Sequence, residues 1–181
     1  MSTRLRSPVG ENDYVRGPDD APVTLVEYGD YECPHCARAF PIIEEVSARL
    51  GDQLRFVYRD FPLREAHPRA EPAAEAAAWA GEGGKFWEMH DTLFERRADG
   101  PAWLDDDRLL EYASELGLDA SGLERALEDE RYLAGVRASF IGGVRSGVNG
   151  TPTFFINGIR YDGSWETAPL LRALEEAAAS R

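Results

Sequence analysis

The sequence predicts an α/β fold in two halves, β-α-β and then β-β-α, separated by an all-helical segment. Three observations carry this. Two short apolar, β-branched runs at residues 23–28 and 54–58 flank a helical stripe. Residues 67–146 hold almost no strand-like runs but several helix signals. Strand character returns at residues 153–161, around the pair Asn157-Gly158.

Residues 1–22 are polar and rich in Gly, Pro and Asp, which predicts an extended arm leading into the fold, with 1–16 standing apart from a single domain at 17–181. Residues 23–28 read as a short buried strand, and Gly29 and Asp30 turn the chain toward Cys33. Cys36, Phe40, Ile43 and Leu50, with Ile42 and Val46 beside them, mark one helix face. Pro41 within it removes a backbone hydrogen bond, so a kink is expected, and Gly51 ends the helix. Residues 54–58 form the second strand.

The helical block starts with an alanine-rich helix at 71–80, stopped by Gly81. Phe86, Met89, His90, Leu93 and Phe94 mark the next. Residues 105–116 form a third, with acidic residues at its N-terminus and Gly117 as its stop. Ser121-Gly-Leu-Glu124 has capping-box spacing and predicts a fourth helix carrying Leu123, Leu127, Tyr132 and Val136. Asn157-Gly158 then joins strands at 153–156 and 159–161, and 166–179 closes the chain as an amphipathic helix with Leu170, Leu171 and Leu174 inward. The core thus occupies about 17–62 and 147–181, with about 63–146 inserted.

A chain of 181 residues suits one domain. Its net charge of −13 disfavours phosphate backbones and anionic lipid surfaces, so neither nucleic acid nor a membrane is expected as a partner. The N-terminus, Met-Ser-Thr-Arg-Leu-Arg-Ser-Pro, lacks the apolar stretch of a secretory signal, and no run is long enough to span a bilayer. That predicts a cytoplasmic protein, with a processed exported protein as the alternative.

Cys33 and Cys36 are the only cysteines, which excludes a disulfide framework and gathers the sulfur chemistry in one place. Cys33 falls at the start of a helix, where free N–H groups and the helix dipole stabilise a thiolate. Cys36 lies one turn further in, on the Phe40/Ile43 side, and is expected to be shielded. An exposed acidic thiol followed by a buried one suits thiol–disulfide exchange. A zinc half-site competes poorly, because only His35, His67 and His90 remain as nitrogen ligands and His35 lies inside the motif. A non-catalytic binding or chaperone module is the other alternative. His67 and His90, with Trp79, Trp87, Trp103 and Trp165, read as structural, whereas an exposed aromatic near Cys33, Tyr31 included, would favour a docking groove.

The order of elements around Cys33-Pro34-His35-Cys36 resembles the thioredoxin fold, and Cys-Pro-His-Cys with a helical insertion resembles the DsbA family of disulfide oxidoreductases. Pro41, five residues after Cys36, and Gly150-Thr151-Pro152-Thr153 before a strand are similar to that family's kinking proline and cis-proline loop. The resemblance implies that Cys33 attacks, Cys36 resolves, and Pro34 and His35 favour the thiolate. It implies a cis Pro152, with Thr151 presenting backbone to substrate, and Glu27 as a buried proton carrier beneath the motif. Arg55 and Arg59 are only approximate equivalents of that acid's family lysine. No cofactor or metal is implied. Protein thiols or disulfides are the implied substrates, and with no third cysteine an external thioredoxin- or glutathione-like partner must complete the cycle. Pro34-His35 points toward an oxidant, whereas Thr151 before Pro152 resembles the superfamily's isomerases and reductases.

Overall fold

Two parallel strands need a crossover element to join them, and the helical stripe between the first two apolar runs supplies it. In the computed structural model, which describes residues 4–180, β2 (Val23–Gly29) and β3 (Leu54–Asp60) pair in parallel from Val23–Leu54 to Gly29–Asp60. The crossover is α1 (Pro34–Leu50), one continuous helix through Pro41. On the other side β4 (Thr153–Ile156) pairs antiparallel with β2, and β5 (Ile159–Tyr161) with β4. Asn157 and Gly158 take φ of 48° and 78°, as a type I′ hairpin turn requires. The last helix is α7 (Thr167–Ala179).

The sheet has five strands in the order β1-β3-β2-β4-β5. Its first strand, β1 (Tyr14–Arg16), pairs antiparallel with β3 from within the segment expected to stand apart. Three residues are too few to show a period of two, yet they cover what would otherwise be an open sheet edge. A buried ion pair fastens this arm: Arg59 donates to both oxygens of Asp13 at 2.7 and 2.8 Å and to the Ser7 and Pro8 carbonyls.

Between β3 and β4 come five helices: α2 (Ala70–Glu82), α3 (Phe86–Glu95), α4 (Asp106–Glu115), α5 (Ala120–Glu128) and α6 (Leu133–Arg145). Helix α2 runs through Gly81 rather than stopping there. The helix expected from Ser121 starts earlier, behind Asp119, and is two helices. Glu130, with φ of 49°, breaks it, so Leu123 and Leu127 belong to α5 and Val136 to α6.

Both faces of the sheet are covered, which is why β2 is a continuous apolar run. Val23 and Leu25, with Leu54, Phe56 and Tyr58, pack into the larger core with α1, α7 and the inserted helices. Val26, Tyr28, Val57 and Phe155 face the other way, against Phe61 and Phe140. Glu27 shares the parity of Val23 and Leu25 and so points to the α1 side.

Candidate active site

The strand–helix junction builds the site. Cys33 occupies the N-cap of α1 with extended backbone (φ −67°, ψ 124°), and Pro34 takes the first helical turn, where its missing N–H costs nothing. Asp30, 2% exposed, shapes the approach. Its Oδ1 accepts the N–H groups of Glu32 at 2.8 Å and Cys33 at 3.2 Å. Its Oδ2 accepts the Leu63 N–H at 2.8 Å and lies 2.8 Å from His67 Nδ1. One carboxylate therefore ties the reactive turn to the segment after β3. The residue three before Cys33 was legible as an Asx-turn former, but its long-range partners were not.

Both cysteines are free thiols. Cys36 is fully buried and Cys33 is 3% exposed, so the freely exposed attacking sulfur expected from the sequence is instead nearly covered. The turn brought back by Asp30 and the loop before β4 close over it. The acidities still separate. The Cys36 thiol, as hydrogen-bond donor, brings Cys33 down to about 5 against the opposing effect of burial; the Thr151 hydroxyl and the N–H groups of Cys36 and His35 add to it. Burial, then the hydrogen bond to Cys33 and the Glu27 and Cys33 charges, push Cys36 well above the usual thiol range.

The Thr151–Pro152 peptide is cis, and the Thr151 carbonyl lies 3.5 Å from Cys33 Sγ. The Thr151 hydroxyl is buried and, among the described residues, has no hydrogen-bond partner while Cys33 is a thiol. It is the donor that a thiolate would capture, a role invisible from spacing alone. The side chains of His35 and Pro34 are exposed at the mouth; His35 acts on Cys33 through its backbone N–H.

Glu27 is 4% exposed, and burial, then the nearby Cys33, push its carboxyl up to about 8. Arg55 and Arg59 do not serve it. Their strand parity turns them to the opposite face, where Arg55 pairs with Asp19 and Arg59 with Asp13 and the Tyr28 hydroxyl. Tyr31 is 1% exposed rather than part of a docking surface. Its ring packs against Tyr58, Phe94 and His90, and its hydroxyl lies 3.0 Å from His90 Nδ1. Burial keeps His90 well below the usual imidazole range, hence neutral. Trp87 and Trp103 spend their indole N–H groups on the Val15 and Leu93 carbonyls. Among the described residues no three His, Cys, Asp or Glu side chains are grouped to hold a metal, and no helix is long and apolar enough to cross a membrane.

A family model described as Thioredoxin matches residues 10–176. A thioredoxin-like oxidoreductase from Silicibacter pomeroyi is 30% identical, with a TM-score of 0.81 over 95% of each chain. Oxidised BdbD from Bacillus subtilis has a TM-score of 0.83 at 24% identity, over 99% of this chain and 100% of that one. Wolbachia pipientis alpha-DsbA1 has a TM-score of 0.81 at 20% identity, over 99% and 97%. At those last two identities the likeness is one of fold. Among curated proteins, Na(+)/H(+) antiporter NhaA 1 of Mycolicibacterium vanbaalenii is 44% identical over 173 residues, 94% of this chain and 27% of that protein. The antiporter of the same name from Salinispora arenicola is 43% identical over 92% of this chain and 25% of its own length. The chain spans about a quarter of the curated relatives it matches. These relatives are named as ion antiporters, which conflicts with the cytoplasmic expectation and overturns it.

Proposed function

We propose, for a chain that belongs to the thioredoxin family and has the DsbA-type fold with inserted helices, thiol–disulfide exchange with protein thiols through a mixed disulfide on Cys33. The observation that carries this is the opposed acidity of two neighbouring sulfurs, Cys33 brought down to about 5 and Cys36 pushed well above the usual range. A thiolate at neutral pH is the species that attacks, and a protonated neighbour cannot compete with it for the first step.

The Cys33 thiolate attacks a substrate disulfide: a bond forms from Cys33 Sγ to one substrate sulfur as the substrate S–S bond breaks, and the other sulfur leaves as a thiolate. The bound Cys33 then carries no charge, which removes one of the two causes holding Glu27 up. Its carboxylate becomes available to take the Cys36 proton. Cys36 attacks Cys33, closing their disulfide and expelling the second substrate thiolate; the same steps in reverse donate a disulfide. The Thr151 carbonyl, 3.5 Å from the sulfur, offers a backbone acceptor for strand-like pairing of the substrate peptide.

Cys36→Ala accumulates mixed disulfides with protein thiols, whereas Cys33→Ala accumulates none and loses insulin reduction. Equal trapping by both variants sinks this assignment, and activity lost with a chelator turns the reading to zinc. In the curated relatives such a module forms part of an antiporter, which supports a membrane protein as exchange partner. Running the Cys36→Ala trap on membranes and on soluble extract separates the two partner classes. Equilibration with glutathione buffers sets the direction: a potential near about −120 mV supports an oxidant, and one near about −270 mV a reductase.

A further inference from the structure

A cavity of about 610 Å³ lies between the β1–β3 edge of the sheet, the N-terminal arm and α6; Tyr14, Tyr28, Tyr58, Asp60, Tyr132 and Ser139 are on its wall. Among the described residues, Tyr58 Oη, Asp60 Oδ1 and Ser139 Oγ are buried there without a hydrogen-bond partner. Buried polar atoms are rarely left so, and several facing one cavity call for a common explanation. Tyr58 also belongs to the core beneath the reactive cysteines, so it touches both compartments.

Strand register shows how it joins them. Glu27 pairs with Tyr58, and Gly29 with Asp60, all four on the α1 side of the sheet. The Tyr58 ring lies across the slot that Gly29 leaves empty: a Cβ added there would meet Tyr58 Cε2 at 2.5 Å and Oη at 2.7 Å. The phenol is thus laid over β2, between the Glu27 position and the Asp60 position. A side chain at residue 29 would evict it.

We propose that this cavity is the port through which the Cys36 proton reaches solvent, with Glu27, Tyr58 and Asp60 as its successive carriers. The proposal rests on the Glu27 role above. When Cys36 attacks, its S–H bond breaks and the proton goes to the Glu27 carboxylate. Because Tyr58 Oη and Asp60 Oδ1 are unpartnered among the described residues, water from the cavity bridges the transfers: the Tyr58 hydroxyl accepts that proton on oxygen and passes its own on to Asp60, which releases it into the cavity. No electrons move beyond the disulfide exchange, and Glu27 and Asp60 return to carboxylates.

The electrostatics agree. Burial, then the Asp30 carboxylate, push Asp60 up to about 7, and Glu27 stands at about 8, so both trade protons near neutral pH. Asp30 faces Asp60 from the reactive turn, Tyr14 from β1, and Tyr31 from beneath α1. Arg59 lines the cavity but is committed to Asp13 and Tyr28, and Arg131 lines it from the segment before α6. His90, whose ring centroid is 4.5 Å from that of Tyr58, is neutral.

Reduced protein mixed with the chromogenic disulfide dithiobis-nitrobenzoate in a stopped-flow instrument releases one aryl thiolate as Cys33 attacks and a second as Cys36 resolves. Asp60→Asn and Tyr58→Phe slow the second release severalfold near pH 7 and leave the first at its wild-type rate. Added imidazole, small enough to enter the cavity, restores the second release in Asp60→Asn. Ser139→Ala, on the same wall but not a carrier, keeps both rates. Slowing of both releases together, absence of imidazole rescue, or an equal loss in Ser139→Ala overturns the port. If Glu27→Gln slows the second release and Asp60→Asn does not, the port fails while the Glu27 role stands. If Glu27→Gln has no effect, both fail.

Discussion

Replacing Glu27 by Gln should make the folded protein more resistant to alkali, by an amount that grows with pH. In the unfolded chain this carboxyl titrates near 4.5, and in the folded protein near about 8. Because the folded value is raised, the folded state holds the extra proton between those limits, and its stability falls as pH rises through them. The penalty is absent well below 4.5 and complete above about 8. Each step of one in pKa corresponds to about 1.4 kcal/mol, so at pH 7 keeping this carboxyl buried and protonated costs roughly 3 kcal/mol. The glutamine is neutral at every pH and nearly isosteric, so its stability lacks this slope. Urea unfolding of the reduced protein from pH 5 to pH 8 measures it: the variant's advantage should widen by a few kcal/mol across that range, with m unchanged. Asp60, raised to about 7, adds a slope of the same sign that both proteins keep. Parallel stability curves would show that Glu27 is solvated or ionised in the folded state, and the reasoning about its burial would be wrong.

Thr151→Val removes the hydroxyl that stabilises the Cys33 thiolate, so the midpoint of its ultraviolet thiolate titration should rise from near 5; an unmoved midpoint would discard that donor. Asp30→Ala severs contacts to Glu32, Cys33, Leu63 and His67 and should cost about 4 kcal/mol in urea unfolding, at about 1 kcal/mol net for each bond. Asp13→Ala leaves the 8%-exposed Arg59 guanidinium without its carboxylate and should destabilise by about 3 kcal/mol, partly offset by the Tyr28 hydroxyl and two carbonyls. Gly29→Ala drives a methyl into the Tyr58 ring and should cost about 1–3 kcal/mol, read as a lowered urea midpoint.

The local features of the chain were legible because each rests on neighbours within a few residues. The β-branched runs gave β2 and β3, Asn157-Gly158 placed the hairpin, and Cys33 at a helix start set the reactive pair. Where local signals were equivocal, tertiary contacts decided. Gly81 carries no helix-breaking signal strong enough to end α2, and Glu130 carries none that announces the break between α5 and α6. The β1 strand exists because the open edge of β3 needs a partner and because Arg59 holds the arm beside it.

For the site, residue types and spacing by themselves picked out the candidate groups for disulfide exchange: two cysteines three apart, a proline at the first helical turn, and a carboxyl on the preceding strand. They set the direction of the acidities, a helix-start thiol below a shielded one, but not the donors that fix them or the cover over Cys33. Those depend on groups far away in the chain. Thr151 is 118 residues from Cys33, Asp30 reaches forward to Leu63 and His67, and Tyr58 enters the β2 slot only because residue 29 lacks a side chain. A thiol's pKa is set by the dielectric and donors within a few ångströms, and the folded chain alone decides which residues those are.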